Sequence, residues 1–247
     1  MLRFDFDLSA REQEQMRSIK AESWFTQVAY HNAISARHPE ASDLDPNHCL
    51  KRRLLLPWIT SKVRGKRVLD LFCANGAFSF EAALAGASEV VGLEFSEDRV
   101  RCAEFIASTL HGRVDCAVPR FLSGDVYELK RIFQEPFDVV FAFGGFYHIP
   151  DPPYVLVQIR SMTRETLIVQ TSGVLPGQDN RAQFMVRQDL RNRGLSSVVG
   201  GRGAWRFTVP CFETMLRHGG FKVLESTRPS IWSRKRFPWY CAVAGPL

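Results

Sequence analysis

Several features that would settle a function class at once are missing from this 247-residue sequence. No run of about 18 apolar residues occurs, so no membrane-spanning helix and no membrane partner are expected. The six cysteines, Cys49, Cys73, Cys102, Cys116, Cys211 and Cys241, contain no C-x-x-C pair, and their scatter suits neither a zinc site nor a disulfide framework. The six histidines show no H-x-H or H-x-x-x-H spacing, so no metal is expected. Met1-Leu2-Arg3-Phe4-Asp5-Phe6-Asp7 is acidic and lacks the apolar stretch of a secretion signal. The cysteines are therefore expected to be reduced thiols in a cytoplasm. Internal repeats and low-complexity tracts are absent as well.

What is present is an ordinary globular composition, 45% hydrophobic and 23% charged, with 19 Phe and 5 Trp to fill a large core. The net charge of +6 is compatible with nucleic acid or an anionic substrate, yet requires neither. Residues 1–62 read as a helical arm. Ser9-Ala10-Arg11-Glu12 is a capping box, and Met16, Ile19 and Phe25 supply an apolar face up to about Val28. After a polar linker with Pro39 and Pro46, a second helix is predicted from about Asn47 towards Leu56, near Pro57.

From 63 to 247 a single domain is expected, beginning with alternating strands and helices. Strands are predicted at 66–71, 89–94, 121–123, 137–143 and 166–170. Helices are predicted at 77–85, closed by Gly86, after Ser96 with a buried face of Val100, Ala103, Ala107 and Leu110, and after Asp151-Pro152. The rhythm breaks over 174–207, an insertion placed as a substrate lid. A helix at 210–217 and a closing antiparallel hairpin at 221–226 and 239–243 follow. The pattern predicts a doubly wound α/β fold with a mostly parallel sheet.

The chemistry concentrates where strands end. Val68-Leu69-Asp70-Leu71-Phe72-Cys73-Ala74-Asn75-Gly76-Ala77 is a strand, an acid, a turn of small residues and a helix start. Such a turn offers backbone N–H groups to a ligand at the carboxyl end of a sheet. A pyrophosphate would want G-x-G-x-x-G without a facing carboxylate, whereas Asp70 favours a cation such as an ammonium group. Glu94 ends the next strand, 24 residues after Asp70, where an acid hydrogen-bonds a ribose diol in doubly wound nucleotide sites. Asp125 follows the third strand and either accepts from an adenine amino group or caps a short helix starting near Val126. The strand 137–143 delivers Phe143, Gly144, Tyr147 and His148 to the same edge. Cys73 reads as a small buried filler rather than a nucleophile.

On these residues the chain resembles the class I S-adenosylmethionine methyltransferases, over roughly 66–172 and the closing hairpin. The resemblance implies a Rossmann-like, seven-stranded sheet. It also implies S-adenosylmethionine as cofactor, S-adenosylhomocysteine as product, and no metal. Asp70 would face the methionine amino group, and Phe72, Cys73, Ala74, Asn75 and Gly76 would pass the methionine moiety. Glu94 would hold the ribose hydroxyls, with Phe95 beside the adenine. Asp125 and Val126 would meet the adenine edge, and Phe143 and Gly144 would complete the cofactor contacts. The family turn usually carries three glycines; here Phe72 and Ala74 occupy the first two positions. Within the family the chain is most similar to the subgroup around the tRNA wobble-uridine carboxymethyltransferase. Trp24-Phe25, Tyr147-His148, the strand Thr166 to Thr171 and the run from Trp205 to Phe221 carry that likeness.

The expected activity is methyl transfer to an oxygen or nitrogen of a small metabolite, for which an anionic one is a candidate. The alternatives are a tRNA-modifying (carboxy)methyltransferase and a non-catalytic cofactor-binding module. His148 is either a general base or a histidine bonded to its own loop; with Tyr147 it is the catalytic candidate. Tyr30 and His31 in the arm, and Arg202 and Arg206 in the arginine-rich 181–206 segment, are the substrate candidates. Self-association into a homodimer stays open.

Overall fold

Short apolar runs, each followed by a glycine turn or a polar helix start, account for most of the regular structure. The computed structural model describes residues 2–22, 28–31, 46–171, 174–186, 203–227 and 239–247. The chain divides into two compact units, Met1–Ser123 and Gly124–Leu247. The division falls inside the domain that the sequence rhythm outlines from 63 onward.

In the first unit, the Ser9 N–H donates to Glu12 Oε2 at 2.7 Å and the Glu12 N–H donates to Ser9 Oγ at 3.3 Å. This is the predicted capping box, and it opens α1 (Ala10–Glu22). The helix is shorter than expected. Val28 belongs to a strand, β2 (Val28–Tyr30), which pairs in parallel with β1 (Leu2–Phe4). Leu2, Phe4, Val28 and Tyr30 are all buried, and that burial outweighs the helical spacing read through Val28. Phe25 lies outside the described residues. α2 (Pro46–Lys62) runs on past Pro57 instead of stopping near it. Leu55, Ile59 and Val63 recur every four residues and are fully buried. At about 1.5–3 kcal/mol each, they offset the roughly 3 kcal/mol that an internal proline costs. Arg52 on α2 is paired with the buried Glu81 of α3 (Ala77–Leu84).

β3 (Arg67–Leu71), β4 (Glu89–Glu94) and β5 (Arg120–Ser123) are parallel neighbours, with Asp70 opposite Gly92 and Glu94 opposite Ser123. α4 (Glu97–Leu110) buries Val100, Ala103, Ala107 and Leu110, as their spacing predicts. Ser96 takes the extended N-cap conformation, yet its side chain makes no cap bond. The acidic first turn of Glu97 and Asp98 is left to complement the helix dipole.

The second unit starts with a 3-10 turn, Val126–Glu128, and the short α5 (Leu129–Ile132). β6 (Phe137–Phe143) and β7 (Thr163–Thr171) then pair in parallel around α6 (Pro152–Ser161). The expected closing hairpin is β10 (Phe221–Thr227) and β11 (Tyr240–Pro246), with β11 antiparallel to both β7 and β10. A register shift between Val223 and Glu225 bends β10. The seven strands of the main sheet follow the order β10-β11-β7-β6-β3-β4-β5. The sheet is therefore mostly parallel with an antiparallel edge hairpin, as the sequence predicts.

The 174–207 insertion holds a second small sheet, β8 (Ala182–Val186) antiparallel to β9 (Gly203–Phe207). The buried Thr208 joins it to α7 (Val209–His218). Its hydroxyl bonds the Asp179 carbonyl and accepts from the Arg181 and Cys211 N–H groups. Among the described residues no helix is long and apolar enough to cross a membrane.

Candidate functional site

The turn between β3 and α3 is built from left-handed residues at alternate positions. Phe72 has φ 59°, Ala74 φ 52° and Gly76 φ 79°. Phe72 and Ala74 are the only non-glycine residues with positive φ among those described. Each L side chain held there costs about 1–2 kcal/mol, so the turn stores strain that the surrounding structure must impose. The imposed contacts are visible. The Cys73 N–H donates to the Leu93 carbonyl at 3.2 Å and the Gly76 N–H to the Cys73 carbonyl at 2.8 Å. The Ala74 N–H donates to Glu94 Oε2 at 2.9 Å.

Packing underneath allows nothing larger. A Cβ on Gly76 would stand 2.4 Å from the Phe121 ring, and one on Gly92 would stand 2.5 Å from that ring and 2.8 Å from Cys73 Sγ. Phe121 in turn meets Phe80 edge to face at 5.5 Å. Gly92 and Phe121 are thus parts of the turn that pattern reasoning missed. A glycine inside a β-branched strand was the available signal.

Asp70 is 1% exposed and accepts from Ser79 Oγ at 2.6 Å. Burial pushes its carboxyl up to about 7, against the Ser79 hydrogen bond, and the nearby Glu94 charge adds to the rise. Glu94 is also buried. Its Oε1 receives the Ser96 N–H at 3.2 Å and Arg99 Nη1 at 3.3 Å. A carboxylate has about four acceptor positions; Oε1 receives two donors and Oε2 one, so the position left for a further donor is on Oε2. Burial and the neighbouring carboxylates raise the Cys73 thiol well above its ordinary range, in keeping with a filler rather than a nucleophile. Asn75 is 2% exposed, and its Nδ2 has no hydrogen-bond partner among the described residues. A buried orphan donor at a strained turn is a ligand-shaped deficit. Phe95, half-buried, follows Glu94 directly.

In the second unit, Asp125 caps its 3-10 turn, accepting the Tyr127 N–H at 3.0 Å, and Val126 is buried behind it. β6 ends in the buried Phe143 and the left-handed Gly144, φ 77°. Tyr147 and His148 then share a single 3-10 turn, half-buried, with rings 4.3 Å apart. The His148 N–H donates to the Gly145 carbonyl at 2.9 Å. The β8–β9 sheet is fastened to this segment by the Trp205 indole, which donates to the Pro150 carbonyl at 3.3 Å. Arg206 sits half-buried on β9; Arg202 lies outside the described residues.

Tyr30 and His31 are placed differently from each other. Tyr30 is 2% exposed, packs on Phe4 and Phe6, and its hydroxyl is 2.6 Å from Thr109 Oγ1 on α4. Burial raises its phenol, which stays protonated. Arg113 closes this corner, 2.9 Å from Glu12 and 5.0 Å above the Phe6 ring. These contacts make Tyr30 an anchor of the arm on α4. His31 is exposed.

A family model described as a methyltransferase domain matches residues 62–196, more than half of the chain. The chain belongs to the methyltransferase domain family. The matched span takes in the strained turn, Glu94, Asp125 and the Tyr147-His148 segment of this methyltransferase domain. The domain is 33% identical over 135 residues to a ubiquinone biosynthesis O-methyltransferase of Bordetella pertussis, covering 53% of either chain. It is 28% identical over 188 residues to a tRNA U34 carboxymethyltransferase of Pseudomonas fluorescens, covering 69% of this chain and 50% of the other. The chain spans about half the length of the curated relatives it matches. Among solved structures, magnesium protoporphyrin IX methyltransferase from Synechocystis PCC 6803 with bound S-adenosylmethionine shares the fold. The TM-score is 0.62 at 15% identity, over 99% of this chain and 100% of that one.

Proposed function

We propose that this chain is an S-adenosylmethionine-dependent methyltransferase acting on an oxygen or nitrogen of a small metabolite. The strained turn carries the reading. It sets a buried carboxyl, Asp70, and an unpartnered amide donor, Asn75, beside backbone N–H groups at one strand end, with Glu94 on the next. That donor set suits the cofactor's zwitterionic methionine end and its ribose. Asp70 answers the ammonium, the Asn75 amide answers the carboxylate, and the acceptor position left on Glu94 Oε2 answers a hydroxyl of the diol. When bound, S-adenosylmethionine supplies a methyl group on a positively charged sulfur, already activated for displacement.

The chain's own work is then alignment and exclusion of water. Asp125 and Val126 are assigned to the adenine edge by family resemblance, and Phe143 and Gly144 to the cofactor wall. His148 takes a proton from the acceptor where one must leave, with Tyr147 orienting it. The 174–207 insertion acts as the lid, supported by its tie from Trp205 to the loop behind His148. Residues 1–62 are the arm and 63–247 the methyltransferase domain proper. The protein works in the cytoplasm. A tRNA-modifying role with a carboxylated cofactor is the second reading, favoured by the longer match to the tRNA U34 carboxymethyltransferase.

Calorimetric titration with S-adenosylmethionine tests the proposal, with a Glu94→Ala variant whose folding is checked by a thermal melt. Micromolar binding that weakens at least tenfold in the variant is expected, since one charge-assisted contact is worth about 1.5–3 kcal/mol. Absence of heat with the folded wild-type chain would sink it.

A further inference from the structure

Two consecutive residues at the end of β7 are fully buried and polar. Gln170 and Thr171 are both 0% exposed, and Gln170 Nε2, Gln170 Oε1 and Thr171 Oγ1 have no hydrogen-bond partner among the described residues. The three residues leading to them, Leu167, Ile168 and Val169, are apolar and fully buried, so neither residue is there for solubility. Successive side chains on a strand point to opposite faces, which separates the two groups. Thr171 pairs with Tyr240, whose hydroxyl is 2.5 Å from Glu213 on α7. Gln170 stands on the other face, in register with Phe143 on one side and Cys241 on the other. Phe143 is stacked on Phe141 at 5.0 Å and 19°.

A carboxamide carries two donors and an acceptor, and burying all of them without a protein partner is costly. Native proteins keep such deficits where a ligand removes them. The position is also where ligands meet open α/β sheets, at the carboxyl ends of the strands. We propose that Gln170 is a specificity-determining residue that reads the methyl acceptor. Its carboxamide gives one hydrogen bond to, and takes one from, a neutral planar group bearing an adjacent donor and acceptor, while the acceptor's apolar ring lies along Phe143. The flanking Phe143, Phe141 and Cys241 supply no countercharge, which selects a neutral hydroxy-carbonyl or amide group over a carboxylate. This deepens the methyltransferase reading and rests on it.

The test uses Gln170→Met, which keeps length and removes the polar atoms, with Gln170→Leu as a second apolar variant. Thermal melts, titration with S-adenosylmethionine, and titration with salicylamide and salicylate as probes are run on all three proteins. The expected result has four parts: a melting temperature raised by about 3 °C in at least one variant; unchanged cofactor affinity; salicylamide binding weakened at least tenfold; and salicylate binding weaker than salicylamide in the wild type. A fall in melting temperature in both variants means the amide has structural partners and overturns the assignment. Equal salicylamide binding in variant and wild type, no binding to the wild type, or a preference for salicylate overturns it as well. Because cofactor titration is read separately, loss of cofactor binding to the wild type would instead be a failure of the methyltransferase reading.

Discussion

The β3–α3 turn and the end of β7 handle buried polarity in opposite ways. At the turn, Asp70 is held by Ser79, and Glu94 is held by Ala74, Ser96 and Arg99. At the end of β7, Gln170 and Thr171 are buried with no side-chain hydrogen-bond partner among the described residues. The first arrangement is a scaffold that exists before any ligand arrives, and it stores backbone strain to do so. The second arrangement postpones its hydrogen bonds. A pre-built arrangement suits a ligand that never changes, and a postponed one suits a ligand to be selected.

The most damaging way to break this contrast is to fill the space under the turn. Gly92→Val should lower stability in a denaturant melt by about 3 kcal/mol, because its side chain would enter the Phe121 ring. Ser79→Ala comes next. It strips the hydrogen bond from a buried carboxyl, and a melt at pH 8 should show a loss of about 2 kcal/mol.

The third prediction concerns Asp70. Its folded value of about 7 lies above the ordinary 3.8, so the folded chain keeps a proton that the unfolded chain has released. The stability contribution is therefore full below about pH 4 and is lost as pH rises through about 7. On the proposed assignment of Asp70 to the cofactor's ammonium group, cofactor binding runs the other way, since that group needs Asp70 ionised. Affinity for S-adenosylmethionine should fall about fivefold from pH 7 to pH 6, and Asp70→Asn should flatten that dependence. The smallest effect has the opposite sign. Thr171→Val removes a hydroxyl with no partner among the described residues, and melts should show no loss, or a gain of up to about 1 kcal/mol. A clear loss there would erase the distinction between the two regions.

The backbone of this site was legible because it rests on local patterns. Val68 to Leu71 followed by Gly76, Glu94 at its offset, and the capping box at Ser9 are all short-range signals, and each has its place in the structure. What escaped depends on partners distant in sequence. β1 and β2 are three residues each, too short for a period to register. β8 and β9 pair across the 187–202 segment and form a sheet of their own. α2 continues through Pro57 because Ile59 and Val63 are buried, which no local rule reveals. Ser79, Gly92, Phe121 and Gln170 bear on the candidate site only through what packs around them. Ser96 shows the reverse. The residue type at the helix start was right, but the capping hydrogen bond it suggested is not made.

The bend in β10 has a consequence for the molecule in crowded solution. An open sheet ends in strands whose outer N–H and carbonyl groups invite another chain to zip on. Here one border, β5, is four residues long, and the other, β10, loses register between Val223 and Glu225, with Lys222 and Glu225 beside the break. Short length, a bulge and charge are the features that blunt such borders. Among the described residues, the borders of the seven-stranded sheet therefore offer no straight rail for edge-to-edge stacking, even with Leu224 exposed on β10.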